Sequence, residues 1–198
     1  VVYHGAPAPK AQIPNSKFQI PNSYFLYVGR IELKKNVDGI IKAFAIAKEK
    51  YPLPHKLVLA GGDGYGAENI RCTINDLRLT DDIVLLGYIS EEQKWQLLRN
   101  ATAFLFPSWY EGFGLPILEA QAVGVPVIIS NVSAMPEVAG TGSLLVDPAD
   151  PDAQAKAMYQ IATNAQLRMD LVVKGRENIK RFSWAKCARE ALNTLTAS

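Results

Sequence analysis

The sequence predicts an α/β fold built on one parallel, doubly wound sheet with helices on both faces. Two observations predict it. Short apolar runs alternate with stretches of helical periodicity along most of the chain. The apolar runs are also continuous, as in Tyr24–Val28 and Ala103–Pro107, where a sheet wetted on one face would alternate apolar with polar residues. Composition sets the class: 198 residues, 48% hydrophobic and 20% charged, can bury a sizeable core.

Residues 1–23 read as a linker. Prolines 7, 9, 14 and 21 break any helix, and Ile-Pro-Asn-Ser occurs at 13–16 and again at 20–23, a duplication too short for a solenoid. The domain is expected over 24–198. Tyr24–Val28 is the first strand, stopped at Gly29. Asn36 is the expected cap of a helix whose Ile40, Ile41, Phe44 and Ala47 share a face. Lys56–Ala60 is a strand ended by Gly61-Gly62-Asp63-Gly64, and a helix over 67–79 follows. A strand is expected at Ile83–Leu86. Ser90 with Gln93 forms a capping box that opens a helix to about Asn100. Ala103–Pro107 and Pro126–Ser130 are strands around a helix over Leu115–Val123. Ser143–Val146 is the last strand, and residues 151–163, 166–180 and 184–196 read as three helices. The sum is one Rossmann-like domain, in which ligands bind beyond the carboxyl ends of the strands.

Several function classes drop out early. Lys plus Arg is 21 against 19 Asp plus Glu, a formal +2, so no nucleic-acid partner is announced. Cys72 and Cys187 lie far apart, and His4 and His55 are the sole histidines, which leaves little for a zinc site. No apolar run reaches the roughly 18–20 residues of a membrane span. The chain shows no signal peptide and no initiating Met, so it is expected to come from inside a longer protein. His55 lies between prolines and a lysine without a nucleophile elbow, against a Ser-His-Asp hydrolase.

Three loops carry the chemistry. In Gly29–Asn36, Arg30, Lys34 and Lys35 stand before a helix N-terminus, where cations oppose the helix dipole. Either the loop is merely solvated or an anion sits between them, with Arg30 as a fork and Lys35 as a point charge. Gly61–Gly66 lacks the dinucleotide G-x-G-x-x-G spacing and reads first as a tight turn. The third loop, Ser108–Glu119, holds Glu111 before a helix and Glu119 inside it. Gly112 and Gly114 expose backbone N–H groups at the helix start, and Pro116 suits the first turn. Dipole complementarity accounts for one carboxylate but not for the glycine and aromatic setting of the other. Trp109 and Tyr110 either shape a ligand site or, as is commoner for aromatics beside a buried strand, belong to the core.

Glu111 and Glu119, within Glu-Gly-Phe-Gly-Leu-Pro-Ile-Leu-Glu-Ala, resemble the signature of retaining glycosyltransferases of the GT-B fold. Val28-Gly29-Arg30 with Lys35-Asn36 is similar to that family's donor-phosphate loop. Leu59–Gly64 resembles its second glycine turn, and Pro136-Glu137-Val138 and Leu144–Pro148 its later loops. Phe182-Ser183-Trp184 resembles its closing helix, and Val2–Gly5 the start of its interdomain linker, with His4 where the family commonly has Asn.

The resemblance implies the C-terminal, donor-binding half of a two-domain enzyme, with the N-terminal acceptor half absent and this chain alone inactive. Arg30 and Lys35 would neutralise the leaving diphosphate, and no metal or other cofactor is implied. Glu119 would accept from the ribose hydroxyls. Glu111, with the N–H groups of Gly112, Phe113, Gly114 and Leu115, would face the sugar and diphosphate, as nucleophile or as orienting group. Gly29 and Gly62 would lie against the donor. The base would lie near Gly87-Tyr88-Ile89, with Tyr88 either stacked on it or simply exposed. Glu91 either reads guanine or belongs to the helix start, which leaves a UDP- or GDP-sugar open. The expected product is a hexosylated glycan or lipid-linked acceptor, made in the cytoplasm or at the inner membrane face, with any membrane contact through the missing half. Two alternatives stand beside it: a GT-B sugar-nucleotide epimerase and a nucleotide-binding module without catalysis.

Overall fold

A computed structural model describes residues 3–7 and 22–196. The expected strands form one six-stranded, all-parallel sheet in the order β3-β2-β1-β4-β5-β6. They are β1 (Tyr24–Val28), β2 (Lys56–Ala60), β3 (Ile83–Gly87), β4 (Ala103–Phe106), β5 (Val127–Ser130) and β6 (Ser143–Val146). The helices are α1 (Val37–Lys50), α2 (Ala67–Asp76), α3 (Glu91–Asn100), α4 (Leu115–Ala122), α5 (Met135–Ala139), α6 (Pro151–Thr163), α7 (Ala165–Asn178) and α8 (Trp184–Thr196). The order reverses between β1 and β4, so their carboxyl ends flank a topological switch point.

The continuous apolar runs are buried where the sheet is deepest. Residues 24–27 of β1 and all of β4 and β5 are buried. Parallel strands covered on both faces need such runs. The edges depart from that rule. Leu85 in β3 is 43% exposed and Leu145 in β6 is 50% exposed, because nothing pairs beyond them in the sheet. Two buried tyrosines keep their hydroxyls satisfied: Tyr24 donates to the Leu97 carbonyl at 2.8 Å and Tyr27 to that of Arg30 at 2.7 Å.

Boundaries shift where local backbone decides them. α2 stops at Asp76, since Arg78 adopts a left-handed φ of 55° that ends the helical path. The expected helix over 166–180 becomes α7 followed by a 3₁₀ turn at Ile179–Arg181. The short α5 was not expected, because one turn carries no readable periodicity. The Ser90–Gln93 capping box is present with both reciprocal hydrogen bonds. Asn36 precedes α1 but caps nothing. It is buried in the left-handed region, and its Nδ2 donates to the carbonyls of Pro107 at 3.0 Å and Pro148 at 2.8 Å. The expected linker falls mostly outside the described residues, as does most of its Ile-Pro-Asn-Ser repeat.

Candidate active site

The switch point gathers the loops after β1 and β4. Glycine turns hold the first of these against the loop after β2. Ile31 N–H donates to the Gly62 carbonyl at 2.9 Å, and Gly64 N–H to that of Ile31 at 3.0 Å. Gly61 has φ +147°, and a Cβ there would run into the Gly29 carbonyl. Gly29 and Gly61 therefore lie side by side at the strand ends, and a Cβ on the next residue, Gly62, would meet only open space. Gly61 N–H also donates to the Gly87 carbonyl at 2.7 Å, which ties in the carboxyl end of β3.

Across the switch point, Lys35 Nζ lies 2.7 Å from Glu111 Oε1. Both side chains are mostly buried, at 22% and 14% exposure. A pair this close and this shielded from water has a strong Coulombic attraction that offsets part of its desolvation. Trp109 N–H donates to the Lys34 carbonyl at 3.3 Å, so the two loops also meet through backbone. Arg30 is exposed, and its guanidinium has no partner among the described residues.

The approach to α4 leaves backbone donors uncovered. Gly114 opens the helix at φ +102°, where a Cβ would press on Ile117. None of the N–H groups of Gly112, Phe113 and Gly114 donates to an acceptor among the described residues. Three free donors at a helix N-terminus favour negative charge. The Phe113 ring is held from behind, with centroids 4.9 Å from His4 and 5.9 Å from Phe182. Leu115, at the first helical position, is on the surface.

Glu119 lies one turn into α4, as expected, but does not meet Lys35. It pairs with Lys94 of α3 at 2.7 Å, and Lys94 also holds Glu91 at 3.0 Å. Burial works against the Lys94 ammonium; hydrogen bonds and attraction from Glu119 and Glu91 outweigh it and raise its pKa. Lys94 was not singled out in the sequence. Its i,i+3 spacing from Glu91 is readable, but its reach to Glu119 depends on how α3 packs. Glu91 thus sits at the helix start in an ion pair.

Two aromatic expectations are corrected. Trp109 and Tyr110 are not core: they are 46% and 62% exposed, because the chain leaves the sheet right after Ser108. Tyr88 is 87% exposed, whereas Ile89 packs partly on the core. Among the described residues, no cluster of His, Cys, Asp or Glu could hold a metal ion, and no helix is long and apolar enough to cross a membrane.

A doubly wound α/β domain with a basic loop, a glycine-rich helix start and a buried Lys35–Glu111 pair at its switch point belongs to the class of Rossmann-like domains, whose ligands bind beyond the strand ends. Comparison narrows it. Residues 10–178 match the family model for glycosyl transferases group 1. The chain is 35% identical over 170 residues to O-antigen chain mannosyltransferase B of Escherichia coli, covering 86% of this chain and 45% of that protein. Sucrose-phosphate synthase from Thermosynechococcus elongatus superposes with a TM-score of 0.79 at 28% identity, over 90% of this chain and 47% of that one. HepE of Anabaena, solved in complex with UDP and glucose, shares the fold with a TM-score of 0.80 at 20% identity, over 89% of this chain and 49% of that one. The chain belongs to the group 1 glycosyl transferase family and has the Rossmann-like fold of a GT-B domain. It spans less than half the length of the mannosyltransferase.

Proposed function

We propose that this chain is the donor-binding half of a retaining glycosyltransferase that moves a hexose from a UDP- or GDP-sugar to a glycan or lipid-linked acceptor. The observation that carries the reading is the Lys35–Glu111 pair beside the free N–H groups of residues 112–114. A cation, a carboxylate and a helix-start cradle at one switch point suit a diphosphate with a sugar attached. Arg30 and Lys35 would neutralise the charge that builds on the leaving nucleoside diphosphate. This positive charge comes from side chains, so the reading assigns no metal and no cofactor. Glu119, fixed by Lys94, would accept from the ribose hydroxyls. Glu111 would face the anomeric carbon, where a second acceptor-binding half closes the site.

The 35% identity to an O-antigen chain mannosyltransferase supports a hexose donor and polysaccharide synthesis. The reading places this work in the cytoplasm or at the inner membrane face. The chain alone would bind donor and transfer little. Calorimetry with UDP, GDP, UDP-glucose and GDP-mannose tests this. Binding of one nucleoside diphosphate and its sugar conjugate is expected. At 100 times its dissociation constant such a ligand stabilises the fold by about 2.7 kcal/mol. Failure to bind any of the four would sink the proposal, and robust transfer by the chain alone would sink the two-half reading.

A further inference from the structure

Glu111 is gripped twice. Lys35 holds its carboxylate, and a residue from another strand end holds its backbone. Ser133 lies in the turn between β5 and α5. Its Oγ accepts from Glu111 N–H at 3.1 Å and donates to the Glu111 carbonyl at 3.1 Å. One hydroxyl thereby satisfies both backbone polar groups of a single residue in a loop without a ladder partner. Three residues upstream, buried Ser130 donates its Oγ to the carbonyl of buried Ser108 at 2.6 Å. The two contacts join residues 22 apart in both cases, 108 with 130 and 111 with 133. Serine hydroxyls therefore link the exits of β4 and β5 twice, the second time at the backbone of Glu111.

Ser133 also occupies the left-handed region, at φ 54°. Serine is not among the residues that favour this conformation. Glycine would sit there without cost, and it would bring no hydroxyl. A non-glycine residue kept in an unfavourable backbone state beside a candidate site points to function.

We propose that Ser133 is a positioning residue. Its hydroxyl fixes the backbone of Glu111 so that the carboxylate, paired with Lys35, is aimed at the donor sugar. The proposal rests on the reading of Glu111 given above. It assigns a role in donor chemistry to the turn after β5, which otherwise contributes nothing to the switch point.

Two variants separate positioning from folding. Ser133→Gly removes the hydroxyl and relieves the backbone; Ser133→Ala removes the hydroxyl and keeps the unfavourable φ. Both are measured with Glu111→Gln in the enzyme with its acceptor half in place. Ser133→Gly is expected to melt at or above the parent temperature and Ser133→Ala below it. Both are expected to lose kcat about tenfold to a hundredfold, with KM for the nucleotide sugar within about twofold of the parent. Activity that follows stability, with Ser133→Gly at the parent rate, overturns the proposal, and so does a rise in KM with kcat kept. If Glu111→Gln is slow while Ser133→Gly is not, only the clamp fails. If Glu111→Gln turns over at the parent rate, the role given to Glu111 fails as well.

Discussion

The two ends of the sheet differ in a way that cavity size conceals. A broad concavity, of about 840 Å³, lies at the amino ends of the strands. Ser23, His55, Thr102 and Pro126 line it, each just before a strand, with Arg168 and Arg176 of α7 on the far side. The carboxyl end has tight laced loops instead. Yet helix C-termini collect at the amino end, where their carbonyls need cations. Arg168 answers them, donating from Nη1 to the Ile161 carbonyl at 2.6 Å and that of Ala162 at 3.0 Å at the end of α6. At the carboxyl end the helix N-termini offer donors, and Gly112–Gly114 leave three of them free. The sign of the helix ends, not the room available, assigns the chemistry.

The sharpest test of that contrast is Glu111→Gln in the complete enzyme. The change keeps size and removes charge. It is expected to lower kcat by at least about a hundredfold, about 2.7 kcal/mol of transition-state stabilisation, with donor affinity nearly kept. Single-turnover rates and donor titrations measure both. An unchanged rate would mean that the switch-point carboxylate is a structural partner of Lys35 alone.

Asn36→Ala comes next. It strips two donated hydrogen bonds from a buried bridge and places a residue with less liking for the left-handed region at φ 57°. Losing both bonds leaves the Pro107 carbonyl unpaired, while Gln154 Nε2 still donates to that of Pro148 at 3.1 Å, and should cost about 1–3 kcal/mol of stability. Chemical denaturation measures this. A loss within about 0.5 kcal/mol would show that the bridge does not hold the β1 loop to the β4 exit.

These two residues also show what the sequence makes legible. The parallel, doubly wound sheet follows from continuous apolar runs alternating with helices, and the loops to search, at the carboxyl ends of the strands, follow from the sheet type. Glu111, Lys35 and the glycines are readable as residues of loops at strand exits, and the family resemblance groups them, since each loop alone also reads as a solvated loop or a tight turn. Asn36 is readable as a helix start, but its bridge to residues 107 and 148 is long-range and leaves no local pattern. Lys94 and Ser133 fail for the same reason. Each reaches its carboxylate residue, Glu119 or Glu111, only after separate βα units are packed side by side. Trp109 and Tyr110 mislead because aromatic residues after a buried strand are usually covered, and these stand on a loop that has already left the sheet.

Smaller effects are expected from the charges that meet the nucleotide. Lys35→Ala should weaken binding of the nucleoside diphosphate by about 1.5–3 kcal/mol and leave the bare nucleoside nearly unaffected. Arg30→Ala should act in the same direction but less, since solvent screens an exposed guanidinium. Glu119→Ala should weaken the nucleoside as well, because ribose is common to both ligands. Calorimetry on the three variants with UDP, GDP and their nucleosides distinguishes these patterns. Equal losses for both ligands in the Lys35 variant would remove it from the phosphate.

The smallest effect belongs to the amino end and should leave the donor site untouched. His55 stacks on Phe25, with ring centroids 5.0 Å apart, and its Nδ1 is buried without a hydrogen-bond partner. Burial first, then the charges of Arg168 and Lys48, push the imidazole below its ordinary value of 6.5. The folded state therefore holds fewer protons than the unfolded state at any pH between the lowered value and about 6.5. Stability should fall as pH drops through that window and level off above it, with a slope of at most about 1.4 kcal/mol per pH unit for one proton. Asp82, which Lys48 also contacts, is held below its ordinary 3.8 and titrates at more acid pH. His55→Phe keeps a ring against Phe25 and removes the titration. It should melt near the parent temperature at pH 7.5 and above it at pH 5, with the affinity for nucleoside diphosphate unchanged at both. A parent and variant that lose stability in parallel between these pH values would place the acid sensitivity elsewhere. A loss of nucleotide affinity in His55→Phe would break the separation between the two ends of the sheet.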